Sequence, residues 1–230
     1  MKNLNQKKIY SLRPDLKMVI ILSLLMGSFL SEAQDPHRFD KQVNELKSVE
    51  YDFNSEKKVA LFTGSSSVRM WKDVQERFPE YNVINNGFGG SHFSDLIYFY
   101  DDLVKQFHPD VLFIYEGDND IANNKRAGKI KREAKRLHKM IRADFPGTKI
   151  VFISPKPSVK RWGLKKQYER VNRKLERFSK RNNNTEFADV WTAMLDENGM
   201  VFRDIFLEDN LHMNKKGYDI WEEVVDDYLE

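Results

Sequence analysis

Cysteine is absent from all 230 residues. That removes thiol catalysis, thiolate metal sites and disulfides at once, so an exported chain of this kind would rely on its hydrophobic core. Glycine and proline number 11 and 7, and nowhere do they join serine in a run long enough to act as a linker. Internal repeats and low-complexity tracts are also missing. One domain is therefore expected, and residues 34–230 are enough chain to bury a sizeable core. The one long apolar run, Met18 to Leu30, is too short for a comfortable membrane span.

The place of that run accounts for most of the net charge. Lys2, Lys7, Lys8, Arg13 and Lys17 precede it, and Ser31-Glu32-Ala33 puts small residues three and one before a cut. This is the layout of a secretory signal peptide over residues 1–33, with cleavage near Ala33; an uncleaved N-terminal anchor is the other reading. A periplasmic or secreted location is expected. Formal charge is +3 for the whole chain, but without the leader basic and acidic residues balance, so no nucleic-acid partner is expected. Locally the charge is uneven. Glu133 is the only acid between Lys125 and Arg142, and Glu169 and Glu176 are the only two between Lys156 and Arg181. Two such helices side by side would make a basic face, read either as solvated surface or as weak docking to an anionic envelope surface.

Short apolar runs alternate with helix-period segments. Residues Val59 to Thr63, Asn82 to Asn85, Val111 to Tyr115, Ile150 to Ser154 and Thr185 to Val190 read as strands, the third and fourth apolar enough to be buried on both faces. Ile130, Ala134, Leu137, Ile141 and Phe145 recur at helical spacing, as do Tyr168, Val171, Leu175 and Phe178. Asn214 can cap a last helix that carries Ile220, Trp221, Val224 and Tyr228. The alternation predicts a parallel sheet covered on both sides, with sites gathered at the carboxyl ends of its strands.

Four segments fall at or near such positions. They are Gly64-Ser65-Ser66-Ser67, Asn85-Asn86-Gly87-Phe88-Gly89-Gly90, Gly117-Asp118-Asn119-Asp120 and Asp209-Asn210-Leu211-His212. Serine-based acyl transfer needs a hydroxyl nucleophile, an imidazole base, a carboxylate to orient it and donors for an oxyanion. Ser66, His212, Asp209, and the Gly90 and Asn119 donors can fill these roles. A serine cluster after a strand is more often a turn or helix cap. Of the five histidines, only His212 has a carboxylate three residues upstream. His92 lies beside the second segment and could line a pocket.

Phe62 to Trp71 resembles the first block of the SGNH hydrolases, the GDSL esterase/lipase superfamily, with its usual Gly-Asp-Ser-Leu altered. The other three segments are similar to the second, third and closing blocks, so the resemblance runs from about Val59 to Tyr218. It implies a flavodoxin-like three-layer α/β/α sandwich with a mostly parallel five-stranded sheet. It also implies Ser66 as nucleophile, His212 as base and Asp209 as its orienting carboxylate. The N–H groups of Ser66 and Gly90 and the Asn119 amide would form the oxyanion hole, with no metal or organic cofactor. Ser65 replaces the family's usual Asp, which would affect turn packing more than chemistry, and Ser65 and Ser67 remain alternative nucleophiles. Asp118 and Asp120 would support Asn119. Glu116 would oppose the developing charge if it pointed inward.

The expected activity is hydrolysis of a small-molecule or carbohydrate ester carrying a short acyl group, because the gaps between strands leave no room for a long apolar groove. Trp162, Phe88 and Phe93 are available to stack on a sugar, with simple core or rim packing as the other reading; Lys156 to Ser158 and Trp162 could shape a rim, but an ordinary surface loop is the reading preferred. The alternatives are a lysophospholipase-type esterase, a non-catalytic or acyltransferase envelope module, and a metal-dependent phosphoesterase built on the acidic 117–120 loop.

Overall fold

In the computed structural model, which describes residues 35–229, every predicted strand forms. The leader lies outside the described residues. After α1 (Asp40–Lys47) come β1 (Val59–Gly64), α2 (Ser66–Arg69), α3 (Val74–Arg77), β2 (Asn82–Gly87), α4 (Phe93–Tyr98), α5 (Tyr100–Leu103) and β3 (Val111–Tyr115). They are followed by α6 (Asp118–Ala122), α7 (Ala127–Asp144), β4 (Lys149–Ile153), α8 (Lys165–Ser179), β5 (Thr185–Ala188), α9 (Val190–Ala193) and α10 (Lys215–Asp226).

All four strand pairings are parallel, in the order β2-β1-β3-β4-β5. Alternation along the strands divides the core in two. Leu61, Leu112, Ile114, Ile150 and Phe152 face one side, where α1, α4, α5, α7 and α8 cover them. Ala60, Phe62, Phe113, Tyr115, Val151 and Ile153 face the other, under α2, α3, α9 and α10. The result is the expected three-layer sandwich, and both faces of β1, β3 and β4 are buried, as their unbroken apolar runs require.

Boundaries differ from expectation for local reasons. β5 stops at Ala188 because Asp189 turns to cap α9, accepting the Thr192 N–H at 3.1 Å. Phe145 falls just past α7. Asn214 caps α10 as expected, accepting from the Gly217 N–H.

This strand order places the site. From β1 the chain moves to one edge of the sheet, while from β3 it moves to the other. The loops leaving their carboxyl ends therefore part, opening the crevice where ligands bind in such sheets. Ser66 follows β1 and Asn119 follows β3. Gly64, the last residue of β1, has φ of +124°, and a Cβ there would lie 2.0 Å from the Tyr115 carbonyl oxygen. Only glycine lets the two strand ends approach this closely.

Candidate active site

The first turn after β1 offers three hydroxyls, and packing separates them. Ser65 and Ser67 are buried, whereas Ser66 is half-buried. Its Oγ lies 3.0 Å from His212 Nε2. His212 Nδ1 lies 2.5 Å from Asp209 Oδ2. Neither Ser65 nor Ser67 has such a contact among the described residues.

Asp209 and His212 sit on a tight hairpin between β5 and α10. Phe206 bridges Met213 across its base, the Leu207 N–H donates to the His212 carbonyl at 2.8 Å, and Asn210 turns at φ of 57°. Asp209 Oδ1 accepts the N–H groups of Leu211 and His212, both at 2.9 Å. Partial burial works against the Asp209 charge, but these N–H groups and the imidazole outweigh it and hold the carboxyl down at about 2. The charge that orients His212 is thus complete above the ordinary carboxylate range and is lost only as pH falls through about 2.

Around the hydroxyl, the Ser66 and Gly90 N–H groups have no acceptor among the described residues. Gly90 has φ of +86° and nothing within 4 Å of where a Cβ would be, so its backbone is open to a substrate oxygen. Asn119 is held from three sides. Its Nδ2 donates to Ser65 Oγ at 2.6 Å and to the Ser91 carbonyl at 3.1 Å, and its Oδ1 accepts from Arg161 at 3.1 Å. Ser65 therefore contacts the amide directly, a closer involvement than the turn packing expected of it.

Asp118 is linked to Asn119 through Arg161, whereas the Asp120 side chain has no hydrogen bond to Asn119 among the described residues. Asp118 accepts from Tyr115 Oη at 3.0 Å, from Arg161 at 2.7 Å and from Tyr168 Oη. Burial opposes its charge, yet Lys156, Arg161 and the Tyr168 hydroxyl hold its carboxyl below the usual range. Asp120 pairs instead with Lys125. Turned to different cations, the two carboxylates do not converge, and no group of three His, Asp or Glu among the described residues could hold a metal ion.

Glu116 does point inward, 1 % exposed, with Ser91 Oγ donating to it at 2.6 Å. Burial first, then Asp120, pushes its carboxyl well above the usual range. That favours the neutral acid, which would not oppose an oxyanion.

Several expected rim residues lie elsewhere. Phe88 and Phe93 are fully buried, so neither can stack on a sugar. Trp162 stacks on Trp191 at 6.1 Å. His92 is buried, bonded to Asn123 at 3.0 Å, and lowered to about 4 by burial and then by Lys125. Lys156 is 1 % exposed; its Nζ donates to the Leu211 carbonyl at 2.6 Å, tying the β4–α8 loop to the hairpin. Burial brings its ammonium down to about 8.

The cleft over these groups has a volume of about 440 Å³ and is lined by Gln42, Ser66, Arg69, Gly89, Gly90, Asn119, Arg161, Leu211 and His212. Gln42 carried no sequence signal, and nothing in the sequence marked Arg69 or Arg161 as facing the cleft. Gln42 arrives from α1 and accepts the Gly89 N–H at 3.1 Å, while Arg161 reads from composition as part of the basic surface.

A serine, imidazole and carboxylate in hydrogen-bonded series, beside two open N–H groups, can carry out acyl transfer. Residues 54–220 match the model of the GDSL-like lipase/acylhydrolase family. The chain belongs to this family. It is accordingly a hydrolase acting on ester bonds.

Solved structures share the acylhydrolase's fold. A Streptococcus pneumonia protein named for platelet activating factor is 20% identical, covering 92% of this chain and 99% of its own, with a TM-score of 0.73. A GDSL-like lipase from Bacteroides thetaiotaomicron is 18% identical over 85% of this chain and 98% of its own, with a TM-score of 0.70. A catalytic variant of an acetylxylan esterase from Geobacillus stearothermophilus is 15% identical over 73% and 91%, with a TM-score of 0.62. The comparison with curated proteins found no match.

Proposed function

We propose that the acylhydrolase works through an acyl-enzyme on Ser66 and releases a short acyl group from a polar or carbohydrate carrier. The observation that carries the mechanism is the series Ser66 Oγ, His212 Nε2, His212 Nδ1, Asp209 Oδ2, with links of 3.0 and 2.5 Å. Ser66 Oγ attacks the ester carbonyl as His212 takes its proton. The carbonyl oxygen, now an anion, meets the N–H groups of Ser66 and Gly90. One Asn119 N–H turns to it from Ser65 Oγ. Collapse breaks the C–O bond and His212 protonates the departing alcohol. Water then repeats the sequence on the acyl-enzyme and frees Ser66.

The lining supports the small acyl group. Leu211 is the only aliphatic side chain among the described residues that form it, and each buried CH₂ adds up to ~0.8 kcal/mol only where an apolar groove receives it. In a series of p-nitrophenyl esters, kcat/KM should peak at acetate to butyrate; a peak at about eight carbons or more would overturn the short-chain reading in favour of a lipolytic esterase. Among polar carriers, acetylated xylan against a lysophospholipid separates the two.

Export belongs to the same proposal and rests on the leader sequence. Mass spectrometry of protein recovered from the cell envelope or medium should find an N-terminus near Gln34, and intact Met1 would refute cleavage. The helices α7 and α8 pack side by side, which supports weak association of their basic face with an anionic surface.

A further inference from the structure

The catalytic cleft is rich in donors and poor in acceptors. Two of its nine lining residues are arginines and none is acidic. The arginines differ in how they are held. Arg161 is committed, with one arm on Asp118 at 2.7 Å and the other on Asn119 at 3.1 Å. Arg69 is exposed and has no ion pair or side-chain hydrogen bond among the described residues. Asp73, four residues on, is engaged by Arg77 at 2.7 Å.

The placement of Arg69 follows from local structure. It lies three residues after Ser66 on the single turn of α2, so both side chains leave the same face. Its guanidinium then lies over Gly89, where a Cβ would come within 2.8 Å of its Nε. The absence of a side chain at position 89 admits the cation beside the open Gly90 N–H. Gln42 commits its side-chain oxygen to Gly89, which leaves its NH₂ as a further donor in the lining.

We propose that Arg69, flanked by Gln42 and the field of Arg161, forms a subsite for an anionic group, carboxylate or phosphate, carried by the ester substrate close to its scissile bond. A free guanidinium fork matches both anions with paired, charge-assisted bonds. A neutral ester would leave that fork unused. The inference rests on the ester-hydrolase reading above and narrows its substrate to anionic esters.

Three aryl acetates test it: 4-acetoxybenzoate, 4-acetoxyphenyl phosphate, and the neutral 4-acetoxybenzamide, each rate divided by that of hydroxide alone to remove leaving-group differences. The wild-type enzyme should prefer at least one anion by roughly tenfold or more, as charge-assisted bonds allow, and the two anions tell which group is recognised. The preference should shrink as salt is raised. Arg69→Gln should reduce the anion-to-neutral ratio about tenfold, and Arg69→Lys should keep part of it. Fluorophosphonate labelling of each variant at Ser66 establishes that it is folded. A wild-type ratio at or below one, or a ratio unchanged in Arg69→Gln, overturns the subsite and leaves the esterase standing. No turnover of any of the three esters, without labelling of wild-type protein, removes the esterase reading and the subsite with it.

Discussion

Ser66→Ala should lower kcat/KM on a short-chain p-nitrophenyl ester by ~10⁴-fold or more and abolish fluorophosphonate labelling, while the thermal midpoint hardly moves. The expected size comes from nucleophile deletions in serine hydrolases, which leave only the oxyanion donors and binding to act on water. The test is specific because the two neighbouring hydroxyls are buried and Ser66 alone reaches His212. Labelled peptide mapped to Ser65 or Ser67 would disprove the assignment. Activity that survives the substitution but disappears with a chelator would replace the serine mechanism with a metal-dependent one.

Asp209→Asn should be nearly as severe in kcat, roughly 10³- to 10⁴-fold, with little change in stability. The amide oxygen of Asn can still accept the Leu211 and His212 N–H groups, now bonded to Asp209 Oδ1 at 2.9 Å, so the hairpin keeps its shape. The amide NH₂ would then face His212 Nδ1 where a carboxylate oxygen now lies at 2.5 Å. Donor against donor is unfavourable, so the imidazole would move its proton to Nε2, where it could no longer accept one from Ser66. Steady-state kinetics with urea unfolding in parallel separates this loss of the base from a loss of fold. A decrease of less than tenfold would remove Asp209 from the mechanism.

Elements with local causes were readable from sequence to within about two residues. Val111 to Tyr115 is a short, unbroken apolar run of mostly β-branched and aromatic residues, which reads as a buried strand, and it is β3 as expected. The triad candidates were readable because each lies in a short segment with its own turn chemistry: Gly64 before Ser66, and Asp209 beside the backbone it caps. What stayed hidden depends on side chains meeting across the fold. Lys156 and Arg161 belong to a stretch whose charge density suggests solvent, yet Lys156 is buried beneath the hairpin and Arg161 faces the cleft. The direction of Glu116 could not be read because it follows the last residue of β3, where strand alternation ceases to govern. Gln42 precedes the first strand and the family match alike, and only the docking of α1 brings it to Gly89.

The sequence separation of 146 between Ser66 and His212 also sets a timetable. His212 and Asp209 are carried on the hairpin between β5 and α10, and that hairpin is held by Lys156 from the β4–α8 loop. A chain still being synthesised carries Ser66 as an ordinary turn hydroxyl, out of reach of His212. The serine and imidazole meet only when the last strand, hairpin and helix have closed over the sheet, so a chain whose final third is still unfolded holds Ser66 without its hydrogen-bond partner.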